Sequence, residues 1–316
     1  MKILVTGSIA YDTIMVFPDR FRNHLLADQL HILNVCFLTP EMRREYGGTA
    51  GNIAYNLKLL GAEPLVMATV GEDIAPYLER LQSLGIGARL LKRISGQFTA
   101  QAFITTDLDD NQITAFHPGA MNYSHENHVA RALGAGLAIV APDGKEGMLQ
   151  HARECAEAGV PFLFDPGQGL PMFSRAELDE FLQLADYVAV NDYEGKLLEE
   201  KTGRTLEAIG RDVKALIYTL GAKGSIILSA GQRHEIPCVQ ADAVVDPTGC
   251  GDAYRAGLLY GISHRWDWSS TGKLSAVMGA IKIAHRGAQN HAPTREEIEQ
   301  RFSRAFGYSP WERTKQ

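Results

Sequence analysis

One segment late in the chain brings together the residue types that could bind and transfer a phosphoryl group. Residues 246–252 read Asp-Pro-Thr-Gly-Cys-Gly-Asp. We interpret Val244 and Val245 before them as a strand end and the amphipathic stretch after them as a helix. Gly249 and Gly251 let the backbone turn with its N–H groups pointing one way, and a helix start adds free N–H groups and a positive dipole end. Such a turn binds an anion, and we expect a phosphoryl group.

Asp252 lies in the first turn of that predicted helix. A carboxylate beside an anion pocket can accept the proton of an attacking hydroxyl group, which makes Asp252 a candidate general base. The alternative interpretation is that Asp252 only caps the helix and that the glycines only form a tight loop. Two glycines, a helix start and a carboxylate within four residues favour the catalytic interpretation.

A second glycine-rich segment precedes another predicted helix. Residues 46–52 read Tyr-Gly-Gly-Thr-Ala-Gly-Asn, and the glycines, Gly47 and Gly48 among them, permit a polyhydroxyl ligand to approach the backbone. Asn52 offers both a donor and an acceptor. Asp12 follows the first predicted strand, where its carboxylate could accept hydrogen bonds from two vicinal hydroxyls. A helix cap with a flexible lead-in, and an ordinary turn residue at Asp12, are the structural alternatives.

Two further segments follow predicted strands. Asn191 and Glu194 are three residues apart at the end of a buried strand, so they share one helical face and can hold a hydrated Mg²⁺ and a phosphate through water. Residues 219–224 follow the next strand and contain Gly221 and Gly224, whose turn can approach a nucleotide. The alternative for this turn is an ordinary connection between strands.

The elements that position these segments alternate along the chain. Short apolar, β-branched runs predict buried strands at 3–5, 65–70, 137–142, 162–165, 187–191, 215–220 and 225–228. Helices are predicted between them at 49–60, 145–158 and 192–201. This alternation predicts one α/β domain over residues 1–316, with a doubly wound, mostly parallel sheet covered by helices on both faces.

Two stretches interrupt the alternation. Residues 12–46 contain apolar runs at 14–17 and 32–38, and residues 98–117 have a polar turn between two β-rich runs, which indicates a hairpin. We expect these pieces to form a small β-sheet that serves as a lid beside the carboxyl ends of the parallel sheet. An ordinary edge hairpin is the alternative.

The composition is that of an ordinary folded protein. The 316 residues carry a formal net charge of -6 and are 45% hydrophobic and 22% charged, which argues against nucleic acid as a partner and against a disordered chain or a fibre. The four Cys residues are far apart and no P-loop or dinucleotide fingerprint occurs. No signal peptide or membrane-spanning run is found, so we predict a soluble, cytoplasmic protein without a membrane partner.

Taken together, the segments resemble the ribokinase-like (pfkB) carbohydrate and nucleoside kinases from Gly7 to about Glu297. They occur in that family's order: Asp12, 47–52, Asn191 with Glu194, 219–224 and 246–252. The resemblance implies a doubly wound α/β domain with a β-lid, and ATP-dependent phosphorylation of a primary alcohol. It implies that Asp252 is the catalytic base and that Gly249, Cys250 and Gly251 form the anion hole, with Cys250 in place of the commoner Ala.

The resemblance also implies sites for the substrates and metals. ATP would contact Asn191, Thr219, Gly221, Lys223, Gly224, Gly249 and Gln289. Glu194 would hold Mg²⁺ through water, and a monovalent cation such as K⁺ would bind near Asp246. The phosphate acceptor would contact Asp12, Gly47, Gly48, Asn52 and Asp252. To these we add Gln29, Gln112 and His117 as candidate contacts from the lid.

The lid stretches indicate the substrate class. Their apolar runs, with residues such as Ile14, Ile104 and Phe116, lack the extra cations that a phosphosugar would need. Flat apolar walls suit a nucleobase, although the same residues could form the lid's own core. We therefore hypothesise a purine nucleoside kinase acting on the 5′-hydroxyl of adenosine, inosine or guanosine. The alternatives are a sugar kinase acting on ribose or a related sugar, and a catalytically silent sensor. Exposed lid edges could pair in a homodimer.

Overall fold

The computed structural model describes residues 1–25, 34–109 and 111–313. A large sheet contains β1 (Lys2–Thr6), β4 (Glu63–Val70), β5 (Gly87–Arg93), β8 (Ala135–Val140), β9 (Phe162–Phe164), β10 (Tyr187–Asn191), β11 (Ala215–Thr219), β12 (Ser225–Ser229) and β13 (Gln232–Ile236). A small sheet contains β2 (Ala10–Val16), β3 (Glu41–Gly47), β6 (Ala100–Thr106) and β7 (Gln112–His117).

The helices lie between these strands and after the last of them. They are α1 (Thr49–Leu59), α2 (Ala75–Ser83), α3 (Lys145–Glu157), α4 (Arg175–Leu184), α5 (Asp192–Thr202), α6 (Leu206–Asp212), α7 (Cys250–Ser263), α8 (Trp268–Ile283), α9 (Arg295–Phe306) and α10 (Pro310–Arg313). Every helix in the described part of the chain is too short or too polar to span a bilayer.

The large sheet has the spatial order β13-β12-β11-β10-β9-β8-β1-β4-β5. All pairs from β5 to β11 are parallel, and β12 and β13 are added antiparallel at one edge. Each strand predicted for this sheet is present, which confirms the doubly wound, mostly parallel architecture. The antiparallel edge follows from the short 219–224 turn, because a connection of that length cannot return the chain for a parallel strand.

Two hydrophobic cores cover the two faces of the large sheet. Residues Ile3 and Val5 of β1 enter the core formed with α1, α2, α7, α8 and α9, whereas Leu4 enters the core formed with α3, α4, α5 and α6. This is the twofold alternation of a strand that is buried on both sides. The helices on both faces leave the carboxyl ends of the parallel strands open for the segments described below.

The small sheet has the order β3-β2-β6-β7. β6 and β7 are antiparallel, which confirms the predicted hairpin, and β2 pairs parallel with β6 and antiparallel with β3. The third piece of this sheet lies later than the sequence suggested: β3 spans Glu41–Gly47, and residues 34–40 form no regular element. Charged residues dominate β3, so its strand pattern is not visible in hydropathy. The candidate contact Gln29 lies outside the described residues.

The predicted strand end at Val244 and Val245 is wrong. Residues 237–249 form an irregular connection, and Val244 is 81% exposed. The N–H groups of Val245 and Asp246 donate to the carbonyl oxygen of Ile283 at the end of α8, at 2.9 and 3.1 Å. Because the last helical carbonyls need external donors, this loop pairs with a helix end instead of a neighbouring strand.

Candidate active site

The glycine turn and the start of α7 lie as the sequence predicted. Gly249 caps the helix with φ of +79°, and a Cβ at this position would lie 2.7 Å from the Cβ of Ala288. Conformation and space therefore both require glycine here. The Cys250 N–H donates to the carbonyl oxygen of Pro247 at 3.1 Å. The amides of Gly251 and Asp252 follow in the first turn, where N–H groups have no acceptor within the helix.

Asp252 is held by a residue from the other glycine-rich segment. The Asn52 side-chain amide on α1 donates to Oδ2 of Asp252 at 2.8 Å. Burial raises the pKa of Asp252 to about 7, and the hydrogen bond from Asn52 opposes this rise. Nearby Asp165 raises the pKa further, whereas Arg255 lowers it. A carboxylate with a pKa near neutrality is suited to accept a proton at physiological pH.

Gln289 lies behind Asn52. Its side-chain amide donates to Oδ1 of Asn52 at 3.0 Å and to the Tyr77 hydroxyl at 2.8 Å, and Tyr77 in turn donates to the Gly47 carbonyl at 2.8 Å. Because Gln289 occupies Oδ1 of Asn52, the Asn52 amide group is directed towards Asp252. The sequence assigned Gln289 to ATP, but its described side-chain contacts are on the acceptor side of the site.

Asp12, on β2 of the small sheet, lies near enough to Asp252 to raise its pKa. We call the region between the small sheet and the start of α7 the cleft. A Cβ at Gly47, on the neighbouring strand, would lie 2.6 Å from Oδ2 of Asp12, so the glycine leaves room for this carboxylate. Gly48 then caps α1. Burial raises the pKa of Asp12 to about 6, with smaller contributions from Glu45 and Asp246. Asp12, Gly47 and Gly48 thus lie together with Asn52, as predicted.

A buried ion pair next to Asp252 was not predicted. Arg255, one turn after Asp252 on α7, donates to both carboxylate oxygens of Asp165 at 3.1 and 3.0 Å, and both side chains are 6% exposed. Its Nη2 lies 3.9 Å from Oε2 of Glu194. The sequence does contain a signal for this ion pair: Arg255 is a single arginine among the small and apolar residues of α7. A buried guanidinium needs a buried acidic partner, so such an arginine indicates a buried ion pair.

Asn191 and Glu194 are close together, in an arrangement that the sequence did not specify. The Asn191 side chain accepts from the Glu194 N–H at 2.7 Å, and Glu194 accepts from the Asn191 N–H at 2.8 Å. This is a reciprocal capping box at the start of α5. Burial raises the pKa of Glu194, with Asp165 adding to the effect. Among the described residues, no group of three or more His, Cys, Asp or Glu could hold a metal ion alone.

The turn at 219–224 lies beside this pair. Thr219 is the register partner of Asn191 on the adjacent strand, so both lie at the same edge of the sheet. The turn is closed by the Leu220 N–H, which donates to the Gly224 carbonyl at 2.8 Å. Gly221 and Lys223 are exposed in a short 3₁₀ turn between β11 and β12. The segment therefore presents backbone and one cation to solvent near the start of α5.

Each oxygen of Asp246 accepts a hydrogen bond from elsewhere in the chain. Its carboxylate accepts from the N–H groups of Thr248 at 2.9 Å and Gly287 at 2.8 Å. Its carbonyl oxygen accepts from the Lys282 ammonium at 2.7 Å. The residue near which the resemblance implied a monovalent cation thus receives hydrogen bonds from the chain itself.

Strand register decides which lid residues face the cleft. Asp12 is opposite Ala102 on β6, and Ala102 is opposite Phe116 on β7. Since side chains alternate along a strand, Gln112 shares this face with Phe116, and His117 lies on the other face. Gln112 and His117 therefore cannot both contact a ligand below Asp12, and His117 is the residue that faces away.

The apolar lid residues divide into two groups. Ile14, Ile104 and Phe116 share the face of Asp12, and Phe116 is 51% exposed there. Phe17, by contrast, packs against Phe21 and Phe37, with ring centroids 5.9 and 4.8 Å away. Ile14, Ile104 and Phe116 can therefore contact a ligand, whereas Phe17, Phe21 and Phe37 form the core of the lid itself. Both interpretations of the apolar stretches, ligand wall and lid core, thus apply, each to different residues.

Cys250 is partly buried at the start of α7, next to the loop that contains Asp246. Burial raises the pKa of the Cys250 thiol to about 11, and Lys282 only partly opposes this rise. A thiol with a raised pKa is protonated at neutral pH and is a poor nucleophile. Cys250 therefore serves as a small residue that maintains the backbone turn.

Comparison with known proteins places this geometry among kinases. Residues 9–295 match the model of the family described as pfkB family carbohydrate kinase. A nucleoside kinase from Methanocaldococcus jannaschii is 32% identical over 273 residues, which cover 86% of this chain and 90% of that protein. The solved structure of a Burkholderia thailandensis nucleoside kinase with inosine is 55% identical, has a TM-score of 0.89, and covers 98% of this chain and 99% of that one. The same kinase with ADP-inosine is 56% identical, covers 98% of this chain and 97% of that one, and has a TM-score of 0.87.

Proposed function

The chain belongs to the pfkB family of carbohydrate kinases, and we propose that it is an ATP-dependent nucleoside kinase that phosphorylates the 5′-hydroxyl of purine nucleosides. The observation that carries the proposal is the contact between Asn52 and Asp252, 2.8 Å long, at the start of α7. This contact connects the glycine-rich segment 46–52, which would bind the hydroxyl groups of the nucleoside, to Asp252, the carboxylate beside the anion hole.

The acceptor would be oriented before the chemical step. Asp12 accepts hydrogen bonds from the two ribose hydroxyls, while Gly47 and Gly48 allow the sugar to approach the backbone. The Asn52 amide, held by Gln289, contacts the sugar as well as Asp252. A hydroxyl held in this way attacks without the entropic cost of a bimolecular encounter.

The chemical step would follow at Asp252. Its carboxylate takes the proton of the 5′-hydroxyl as that oxygen bonds to the γ-phosphorus, and the bond from phosphorus to the bridging oxygen breaks to release ADP. The amides of Gly249 and Gly251 and the dipole of α7 stabilise the charge on the transferring group. The Cys250 N–H, which the resemblance counted with them, already donates to the Pro247 carbonyl. ATP would lie along Asn191 and the 219–224 turn.

The residues near Asn191 are compatible with Mg²⁺. Glu194 and Asp165 supply two carboxylates beside a single guanidinium, Arg255, so the cluster retains negative charge and oxygen ligands. Glu194 would hold a hydrated Mg²⁺ through water. When bound, Mg²⁺ would neutralise charge on the β- and γ-phosphates.

A nucleoside fits the cleft better than a bare sugar. Ile14, Ile104 and Phe116 form an apolar surface on the face that carries Asp12, and such a surface suits an aromatic base. The relative from Burkholderia thailandensis, 55% identical, has been solved with inosine. Adenosine, inosine and guanosine are therefore the proposed acceptors, and ribose is the alternative.

The proposal is tested by measuring ATP consumption with a panel of acceptors. We expect turnover with purine nucleosides at a kcat/KM well above that for ribose and fructose 6-phosphate. The Phe116→Ala variant should raise KM for nucleosides by about tenfold and leave KM for ribose unchanged, because one lost apolar contact with the base is worth about 1–3 kcal/mol. Turnover only with sugars would support the sugar kinase, and ligand binding without turnover would support a sensor.

The pH dependence of the reaction provides a second test. Asp252 acts as a base only when ionised, and its pKa is raised to about 7, so kcat/KM should increase with pH up to about 7 and then level off. Below about pH 6 the decrease should become steeper, because Asp12, with a pKa raised to about 6, is also protonated. The measurement is kcat/KM for a nucleoside from about pH 5 to about pH 9 at saturating ATP. A profile that is flat across neutrality would contradict the assignment.

A further inference from the structure

Lys282 is a buried cation beside the glycine turn. It lies near the end of α8 with a relative exposure of 0%. Its ammonium donates to the carbonyl oxygen of Asp246 at 2.7 Å and to that of His285 at 3.0 Å. Two backbone carbonyls that converge on one buried positive charge are the type of ligand that also binds K⁺ in proteins.

The ammonium joins two loops that form the phosphoryl site. One loop, 245–249, leads into α7, and the other, 284–288, follows α8. The two loops contact each other where the Gly287 N–H donates to the Asp246 side-chain carboxylate, at 2.8 Å, and where Gly249 packs against Ala288. A positive charge at this junction fixes the orientation of the turn that carries the Gly249–Gly251 amides.

One neighbouring carboxylate favours a retained charge on Lys282. Burial lowers the pKa of Lys282, and Asp246 opposes this decrease. Removing the charge would leave the carbonyls of Asp246 and His285 without this donor, and a buried polar group that loses its partner is costly.

We propose that the Lys282 ammonium takes the place of a monovalent cation at the anion hole, so that this enzyme needs no K⁺ for turnover. The proposal rests on the proposed kinase function and makes Lys282 a positioning residue that acts through the 245–249 loop. It also replaces the cation predicted at Asp246, whose carbonyl and carboxylate oxygens accept hydrogen bonds from the chain.

The first experiment uses the wild-type protein. Nucleoside kinase activity is measured with tetramethylammonium as the only monovalent cation, and then with K⁺ replacing it at constant ionic strength. We expect the same kcat and KM in both buffers, and no change in Tm that is specific to K⁺. A wild-type enzyme that requires K⁺ would overturn the proposal, whatever the variants do.

Two variants separate charge from space. Lys282→Met keeps the volume and removes the charge, so kcat should fall by about 10²-fold and should not respond to K⁺. Lys282→Ala leaves the two carbonyls open to an ion, so its lower kcat should be restored by K⁺ but not by tetramethylammonium. K⁺ should also raise the Tm of Lys282→Ala, because an ion that binds only the folded protein stabilises the folded state.

The matched control is Lys273→Ala on the same helix, where the ammonium lies over the rings of Phe306 and Tyr308 instead of the turn. It should keep wild-type kcat and show no K⁺ response. Full activity of Lys282→Met without K⁺, or a Lys282→Ala variant that K⁺ neither reactivates nor stabilises, would overturn the proposal. The Tm measurement needs no substrate, so it distinguishes failure of this inference from failure of the proposed function.

Discussion

Replacing Asp252 with Asn is expected to lower kcat by about 10²–10⁴-fold, the usual contribution of a general base. The variant should still fold and bind nucleoside. Asn has the size of Asp, and its side-chain oxygen can accept the hydrogen bond that Asn52 donates to Asp252 at 2.8 Å. The Asn side chain cannot take the proton of the attacking hydroxyl, however, so the substitution removes the general base and slows only the chemical step.

The measurement is steady-state kcat together with the Kd for a nucleoside, with Tm as a check on folding. The matched control is Glu296→Gln, which also removes an acidic charge from the first turn of a helix, at an exposed position on α9. That variant should keep wild-type kcat. If Asp252→Asn retained wild-type kcat, or if its residual activity still titrated near pH 7, Asp252 would lose its assigned role.

Replacing Arg255 with Met is expected to destabilise the protein by about 3–5 kcal/mol, since removing one partner of a buried ion pair leaves the other charge uncompensated. Here the charge left behind is Asp165, 6% exposed, with Glu194 close by. The loss should also raise the pKa of Asp252, because Arg255 lowers it. The kcat/KM profile of the variant should therefore shift to higher pH.

Urea denaturation and the pH profile test this prediction. Arg153 provides the matched control because it forms the same two-point contact, with Glu180 at 2.6 and 2.8 Å, at 52% side-chain exposure. Arg153→Met should cost only about 0–1 kcal/mol, as exposed ion pairs do. Arg255→Lys should recover part of the stability by keeping the charge without the planar fork. Equal losses in the two Met variants would show that burial of the Arg255 pair has no special effect.

Seven of the nine strands of the large sheet and the glycine turn could be predicted from the sequence because their signals are local; β5 and β13, at the two edges of the sheet, were not predicted. Apolar runs such as 137–142 and 187–191 become strands that are buried on both faces of the sheet. Such a strand is recognised from its own continuous apolar sequence, without knowledge of residues far away in the chain. Gly249, the start of α7 and Asp252 lie within four residues, so local helix geometry places the carboxylate beside the amides.

Strand β3 and the loop before α7 show where local patterns mislead. The charged residues of β3 form a strand because β2 pairs with them. The two valines at 244 and 245 form none, because no strand in the described part of the chain pairs with them. Pairing partners, which are set by the path of the chain, overrode hydropathy in both cases.

Sequence by itself determined the fold class, the order of the motifs and the candidate base. The tertiary structure decided which side chains complete the site: Asn52 with Asp252, Asp165 with Arg255, and Lys282 with the Asp246 carbonyl. The first two pairs are 200 and 90 residues apart along the chain. A contact of a few ångströms between such residues depends on the order and register of the strands that bring them together, and no local spacing encodes that order.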